Sequence, residues 1–416
     1  MAKIFLVSLG PGAPEYMSVR AQQALCEAEI VIGYHAYIEL CKPLLTGQTV
    51  IASGMTEEIA RCKAAYAYAQ QGCRVALVSS GDIGIYALAS LAYEIFLQAG
   101  WRPGDAIAVE LIPGISALSA SAALVGAPLA HDFCAISLSD LLTPWAVIAK
   151  RLQAAAQADY VIALYNPKSR RRTEQINEAQ RIIAQYRQPE TPVMIVQAAY
   201  RSTQNIDACT LADLQSAAIN MQSLVLIGNS QSYMQDGLML TPRGYAHKYN
   251  ISDERSINDE RPGHSLRMGL DGWKNHFFAT LKKESDAKLE EITEAIEMPI
   301  GMALDLIFRD AAKEALNIHA TPISLADQAE ILAIFQAWGR VDIKLPHQGL
   351  TGCLSVNASD FKPDKNQIAI ENESMQISVD MGRIHSAWLL RAPMGEIVYA
   401  IDQKDALVFS AKSHPA

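Results

Sequence analysis

Lys3-Ile-Phe-Leu-Val-Ser-Leu-Gly10-Pro-Gly12 holds a nearly continuous apolar run, Ile4–Leu9, that stops at a glycine-proline-glycine turn. Such a run, with no polar alternation, predicts a strand buried on both faces. The pattern recurs beyond Ile4–Leu9 in Glu29–Gly33, Arg74–Ser79, Ala106–Ile112, Tyr160–Tyr165, Pro192–Gln197 and Ser223–Gly228. Between these runs, apolar spacing at i, i+3 and i+4 predicts helices over Glu57–Gln71, Ile85–Gln98, Thr173–Tyr186 and Leu211–Ala218. Strands alternating with helices make the fold class α/β. The rhythm pauses over His131–Leu142, after the small-residue-rich stretch Gly114–Leu129, which places a boundary between two α/β halves at about residues 1–125 and 126–245.

Farther along, the composition changes. Residues 246–283 hold charged and turn-forming clusters such as Ser252-Asp-Glu-Arg255 and read as a solvated linker. A C-terminal unit follows over 284–416, with helices predicted at Glu284–Glu297, Ile300–Leu316 and Ser324–Trp338. Strands then follow at Arg340–Leu345, Gln367–Glu371, Met375–Asp380, Ile384–Arg391, Glu396–Ile401 and Leu407–Ser410. Helices followed by strands indicate α+β.

Half of the 416 residues are hydrophobic and 19% are charged, which excludes a disordered or fibrous chain. The net charge of −9 argues against a nucleic-acid or anionic-membrane binder, so an anionic ligand must meet a local basic patch. The seven cysteines contain no Cys-x-x-Cys pair and the histidines do not cluster at zinc spacing, so no metal site is assigned and the thiols are expected reduced. No segment has the length of a membrane span, and the apolar N-terminal run is too short for a secretion signal. A cytoplasmic location is the expectation.

Three strand ends carry glycine turns. Gly10-Pro-Gly12-Ala-Pro-Glu15 fails the dinucleotide fingerprint because Glu15 stands where a third glycine is needed and Pro11 lacks an amide hydrogen. Ser79-Ser-Gly-Asp82-Ile-Gly-Ile-Tyr86 puts a loop carboxylate at a strand end, suited to a cationic or hydroxyl-bearing ligand. Pro113-Gly-Ile-Ser116-Ala-Leu118 sets a hydroxyl at a helix start, where capping and ligand contact are equally open. Apart from Asp82 these turns are uncharged. They do not describe a phosphate cradle, and they would suit an adenosyl sulfonium.

These residues, with Tyr165-Asn-Pro167 and Gly228-Asn-Ser230, resemble the ordered motif set of the tetrapyrrole methylases, the S-adenosylmethionine-dependent class of cobalamin and sirohaem biosynthesis. Leu138-Ser-Asp-Leu-Leu-Thr-Pro-Trp145 and Tyr165-Asn-Pro-Lys-Ser-Arg-Arg-Arg172 are similar to the subgroup called precorrin-3B C-17 methyltransferase, which contracts the macrocycle as it methylates it. The resemblance covers about residues 1–245. It implies the class III methyltransferase architecture of two αβα halves with the cofactor, S-adenosyl-L-methionine, in the cleft between them, usually in a homodimer. It further implies cofactor contacts at Pro11, Ser80, Gly81, Asp82, Ile85, Ser116, Ala117, Tyr165, Ala199 and Gly228.

A precorrin or cobalt-precorrin macrocycle carries acetate and propionate carboxylates, and arginine forks suit carboxylates. Lys168, Arg170, Arg171 and Arg172 follow one strand end and Arg201 follows the next, so these are the candidate substrate contacts. Positive charge at a helix start opposes the helix dipole, which a bound carboxylate would offset. Methyl transfer needs an electron-rich carbon and an aligned donor more than covalent help. Ser116, Ser139, Asp140, Thr143 and Asn166 are candidates to steer protonation of the macrocycle, with Ser116, Asp140 and Asn166 taken as the catalytic set. His131 and Cys134 read as packing residues.

In the C-terminal unit, Gly382-Arg-Ile-His-Ser-Ala-Trp-Leu-Leu-Arg-Ala-Pro393 is similar to one half of the haem-utilisation proteins. That resemblance implies a second tetrapyrrole-binding fold, with His319, His347 and His385 as candidate ligands. Two alternatives stand beside the C-17 methyltransferase. One methylates another ring carbon, and the other is a tetrapyrrole carrier or sensor acting through the C-terminal unit.

Overall fold

The computed structural model describes residues 2–252, 255–257, 269–283, 288–309, 317–325, 329–347, 350–364, 367–372, 375–393 and 395–413. The chain divides into two compact units, Met1–Tyr245 and Ala246–Ala416.

In the first unit, β1 (Lys3–Ser8), β2 (Ile30–Tyr34), β3 (Thr49–Ser53), β4 (Arg74–Ser79) and β5 (Ala108–Ile112) form a sheet in the order β3-β2-β4-β1-β5. Every pairing in it is parallel. The nearly continuous apolar runs have the predicted cause. Ile4, Leu6, Val75 and Leu77 pack with Tyr66, Phe96 and Trp101 on one face. Phe5, Val7, Ala76 and Val78 pack with Ala21, Leu25 and Cys41 on the other. Helices Glu58–Gln70 and Ala89–Gln98 cover the first face, and Val19–Glu27 and His35–Cys41 the second. The chain leaves β1 toward one edge of the sheet and β4 toward the other, which opens a crevice outside their carboxyl ends.

A short strand β6 (Gly126–Ala127) follows the helix Ala117–Val125 and leads into a second sheet. Its strands are β7 (Phe133–Ser137), β8 (Val161–Tyr165), β9 (Pro192–Gln197), β10 (Asn205–Thr210) and β11 (Ser223–Ile227), in the order β10-β9-β11-β8-β7. Here β7 and β8 are parallel, whereas β11 is antiparallel to both β8 and β9, and β10 is antiparallel to β9. Strands β12 (Tyr233–Gln235) and β13 (Leu238–Leu240) join β6 in a small sheet.

In the second unit, β14 (His319–Ile323), β15 (Arg340–His347), β16 (Leu350–Asn357), β20 (Ser386–Ala392), β21 (Gly395–Ile401) and β22 (Leu407–Ser413) form an antiparallel sheet. Their order is β14-β20-β21-β22-β15-β16. Between β16 and β20 in the chain, β17 (Phe361–Asp364), β18 (Gln367–Asn372) and β19 (Met375–Asp380) make a separate antiparallel sheet. Helices Leu270–Lys283, Leu289–Ala295, Ile300–Arg309 and Ala329–Trp338 complete an α+β unit.

Several expectations are corrected. Leu211–Ala218 is a single 3-10 turn, Leu214–Ser216, because Leu211 and Leu214 drop into the second core without a further turn of apolar residues to propagate a helix. The pause over His131–Leu142 contains strand β7, and its half-exposed edge position explains the weak apolar signal. Edge strands β3 and β10 escaped the reading for the same reason. The helix expected from Ile85 begins at Ala89, because Asp82 and Tyr86 hold the preceding loop open. Within 246–283, Leu270–Lys283 is a helix, and its Phe277 and Leu281 are buried in the C-terminal unit's core. Residues 284–287, 310–316 and 326–328 of the three predicted C-terminal helices lie outside the described residues.

Candidate active site

The wall of the crevice is main chain. Gly10 and Gly81, both at φ +67°, form an isolated bridge in which the Gly81 amide donates to the Gly10 carbonyl at 2.6 Å and the Gly10 amide to the Gly81 carbonyl at 3.1 Å. Gly114 closes on the same spot: a Cβ there would stand 2.5 Å from the Ser8 Cβ and 2.8 Å from the Gly81 carbonyl oxygen. The buried Ser8 hydroxyl accepts the Ile83 amide at 2.9 Å, tying β1 to the loop after β4.

Asp82 organises this junction. One carboxylate oxygen accepts the Gly84 amide at 2.7 Å and the other accepts the Gly114 amide at 3.0 Å. The carboxylate therefore joins two of the three glycine turns, and each oxygen retains a lone-pair site. Ser80 and Gly81 are half-buried beside it and Ile85 is 42% exposed. Ser116 is buried and caps the helix Ala117–Val125, its Oγ accepting the Ser119 amide at 3.3 Å. The Ala117 amide nitrogen stands 3.6 Å from where a Gly81 Cβ would be, so Ala117 borders the same junction. An open recess of about 360 Å³ lies alongside, lined by Glu15, Tyr16, Met17, Ser18, Pro113, Gly114 and Ile115.

The two halves meet here. The Tyr165 hydroxyl, at the end of β8, accepts the Leu118 amide at 3.0 Å, and burial holds the phenol above its ordinary pKa. Tyr86 reaches the other way, its hydroxyl donating to the Ala135 carbonyl in β7 at 2.8 Å while its ring lies 4.9 Å from that of Tyr165. On the far side, Arg201 Nε donates to the Pro11 carbonyl at 2.7 Å and the Tyr16 and Tyr200 rings stand 4.1 Å apart. Pro11 is buried at the turn that Arg201 grips. Ala199 packs at the edge of the cluster containing Leu118 and Val196, and buried Gly228 donates to the Pro192 carbonyl at 2.9 Å. These contacts place Gly228 in the second sheet's packing; no hydrogen bond joins it to the glycine junction among the described residues.

The remaining candidates separate by what they hold. Arg172 Nη1 donates to the Leu138 and Asn166 carbonyls, both at 3.2 Å, so it braces the two loops and does not present its full fork. Lys168 is half-buried, Arg170 and Arg171 are exposed, and none of the three forms an ion pair among the described residues. Asn166, at φ +51°, donates through Nδ2 to the Ser137 hydroxyl at 3.0 Å, and Asp140 accepts from Gln175 Nε2 at 2.8 Å. Ser116 stands with the glycine turns, while Asn166 and Asp140 stand together at the ends of β7 and β8. Cys134 packs against the second core and burial pushes its thiol up to about 11, whereas His131 is exposed and its Nδ1 accepts the Asp132 amide at 2.8 Å.

Tyr16, Tyr86 and Tyr200 were not predicted as site residues. Tyr86 ends the quoted Ser79–Tyr86 motif and Tyr200 adjoins Arg201, so the motif edges carried the signal. In the second unit, His319 and His385 are exposed, the His347 side chain lies outside the described residues, and no metal-suited cluster occurs among the described residues. A void of about 10 Å³ in this unit is lined by Phe335, Ile343, Phe361, Ile368, Ile370, Val379 and Phe409. That holds no more than about one water molecule.

Residues 3–215 match the profile of a family described as tetrapyrrole (corrin/porphyrin) methylases. A protein of Priestia megaterium named cobalt-factor III methyltransferase is 38% identical over 403 residues, 95% of this chain and 73% of its own length. One of Salmonella typhimurium named probable cobalt-factor III C(17)-methyltransferase is 47% identical over 240 residues, 58% of this chain and 98% of its own. Among solved structures, the methyltransferase CobJ superposes with a TM-score of 0.54 at 33% identity, covering 58% of this chain and all of CobJ.

Proposed function

The chain belongs to the tetrapyrrole (corrin/porphyrin) methylases, and from that premise we propose that it transfers a methyl group from S-adenosylmethionine to C-17 of precorrin-3B or cobalt-factor III, with ring contraction, in cobalamin biosynthesis. The observation that carries this reading is the similarity to the cobalt-factor III methyltransferase of Priestia megaterium, 38% identical over 95% of the chain and so reaching into both units.

The glycine junction fits an adenosyl donor. Its walls are main chain, the basic side chain that adjoins it, Arg201, is bonded through Nε to the Pro11 carbonyl, and Gly114 leaves room where a Cβ would collide. A nucleotide phosphate would want the amide that Pro11 lacks. Pockets for small molecules begin at about 300 Å³, and the recess reaches about 360 Å³. When bound, the donor supplies an electrophilic methyl on a sulfonium. The chain's own work is positional: Asp82 holds the Gly84 and Gly114 turns in register, Ser116 and Tyr165 fix the helix start at Ala117, and the paired tyrosines limit water access.

Lys168, Arg170, Arg171 and Arg201 are basic residues open to macrocycle carboxylates, with Arg172 bracing the loop that carries the first three. Asn166 is suited to donate to the macrocycle as charge redistributes, because its amide already meets Ser137 and its backbone is held at φ +51°. The reading extends to a reducing cytoplasmic compartment, supported by seven unpaired cysteines, and to a homodimer, which light scattering would test.

Isothermal titration of S-adenosylhomocysteine into the full chain tests the donor site. Binding that falls at least tenfold in folded Asp82→Ala supports the reading. A folded wild type that binds none contradicts it.

A further inference from the structure

We propose that Arg201 is a specificity-determining residue: it fixes one peripheral carboxylate of the macrocycle at the Gly10–Gly12 turn and so sets which ring carbon faces the methyl donor. The inference rests on the methyltransferase reading and adds to it the residue that reads the substrate's orientation.

Arg201 differs from the other basic candidates in being held at two places. Its Nε donates to the Pro11 carbonyl at 2.7 Å. Its stem crosses Gly12, where a Cβ would stand 2.8 Å from Cγ and 2.9 Å from Nε, so glycine at φ +145° makes the space the side chain lies in. The segment that carries it is constrained as well. Ala198 and Tyr200 adopt φ of +46° and +58°, the Tyr200 amide donates to Gln204 Oε1 at 2.7 Å, and the Tyr200 ring stands 4.1 Å from Tyr16. Left-handed conformations at non-glycine residues cost energy and persist where the surroundings hold them.

What Arg201 lacks is an anion. It is half-buried, and among the described residues neither Nη has a hydrogen-bond partner and no carboxylate pairs with it. Burial accordingly lowers its pKa, with only the Tyr37 phenol acting against that. A partly desolvated guanidinium without a counter-charge is costly, and a carboxylate accepting from the two Nη groups would relieve the cost. Arg172 is held elsewhere: its Nη1 donates to the Leu138 and Asn166 carbonyls, which fixes it to those two loops and not to a turn of the donor crevice.

The chemistry of the substrate explains why such an anchor matters. The four pyrrole-derived rings of a tetrapyrrole are alike at their reacting carbons and differ chiefly in their acetate and propionate substituents. Selecting one carbon requires a charged contact rigid relative to the donor. Lys168, Arg170 and Arg171 supply attraction from long solvated side chains, whereas Arg201 is bonded to a turn of the donor crevice itself.

The test uses full-length protein, uroporphyrin III as an octacarboxylate probe followed by fluorescence, and S-adenosylhomocysteine by calorimetry. The substitutions are Arg201→Gln, which keeps a neutral donor for Pro11, and Arg201→Lys. We expect Arg201→Gln to bind uroporphyrin III about 10- to 100-fold more weakly, with a shallower salt dependence, as loss of a hydrogen bond to a charged group requires. S-adenosylhomocysteine binding should stay within about threefold, and Arg201→Lys should recover the affinity only partly because it lacks the planar fork. With cobalt-factor III, residual turnover of Arg201→Gln should place methyl groups on more than one carbon. Uroporphyrin III binding unchanged in affinity and salt dependence would overturn the inference. Loss of both ligands together would also overturn it, by showing that Arg201 is only a brace between the halves. A wild type that binds neither ligand would defeat the methyltransferase reading and this inference with it.

Discussion

The hydroxyl of Tyr86 donates to the carbonyl of Ala135 across 2.8 Å, so the loop that begins with Asp82 is fastened directly to β7 of the second sheet. Tyr86 makes this contact from a left-handed backbone at φ +51°. Because the bond crosses the crevice, it sets the distance between the glycine junction and Tyr165. Tyr86→Phe should destabilise the protein by about 0.5–1.5 kcal/mol, the usual worth of one hydrogen bond. Its KM for the macrocycle should rise more than kcat falls, since the ring stays in place. Thermal unfolding and steady-state kinetics would check both.

Gly114 makes the sharpest steric prediction. Gly114→Ala would drive a methyl to within 2.5 Å of the Ser8 Cβ and 2.8 Å of the Gly81 carbonyl, neither of them the end of a flexible chain. Overpacking of this kind costs about 1–3 kcal/mol. The displacement would also break the Asp82 bond to the Gly114 amide. A lower Tm together with weaker S-adenosylhomocysteine binding is the expected pair of effects. An unchanged Tm would show that the turns do not pack as described.

Acid stability should respond to Glu110. Hydrogen bonds from Arg20 first and Lys3 second hold its carboxyl down at about 2, at distances of 2.6 and 2.7 Å. A depressed carboxylate pKa contributes stability that is fully present above the unfolded-state value and is lost as pH falls through the folded one. The window therefore runs from about pH 4.5 down to about pH 2. The group is 31% exposed, so screening reduces its worth to about 1 kcal/mol. Urea midpoints measured across this window should fall more steeply for the wild type than for Glu110→Gln.

A chain ending at Tyr249 should fold, because the buried clusters on the sheets of the first unit are built from described residues between Ile4 and Met239. Circular dichroism and a cooperative melt would check it. If the fragment also binds S-adenosylhomocysteine as the full chain does, the donor site lies wholly within residues 1–249.

The central strands were legible in the sequence because burial on both faces leaves them apolar except at their ends: β4 and β9 have the predicted bounds. Edge strands were not. Asn205–Thr210 alternates polar and apolar residues, so its membership shows only through the pairing of Ile206 with Val196. The glycine turns could be read as a site, but not that Asp82 binds two of them together, since that depends on Gly114 approaching from 32 residues away. Likewise Arg172 and Arg201 look alike in sequence. Only the fold separates a guanidinium whose Nη1 is bonded to the Leu138 and Asn166 carbonyls from one whose Nη groups have no partner among the described residues.

The most direct measurement is transfer itself. The full-length protein is incubated with cobalt-factor III and S-adenosylmethionine labelled with a trideuteromethyl group, and the macrocycle is analysed by mass spectrometry and NMR. The account predicts a product carrying one labelled methyl at C-17, and none when Asp82→Ala replaces the wild type. Unlabelled macrocycle recovered from wild-type protein that binds both ligands would contradict it.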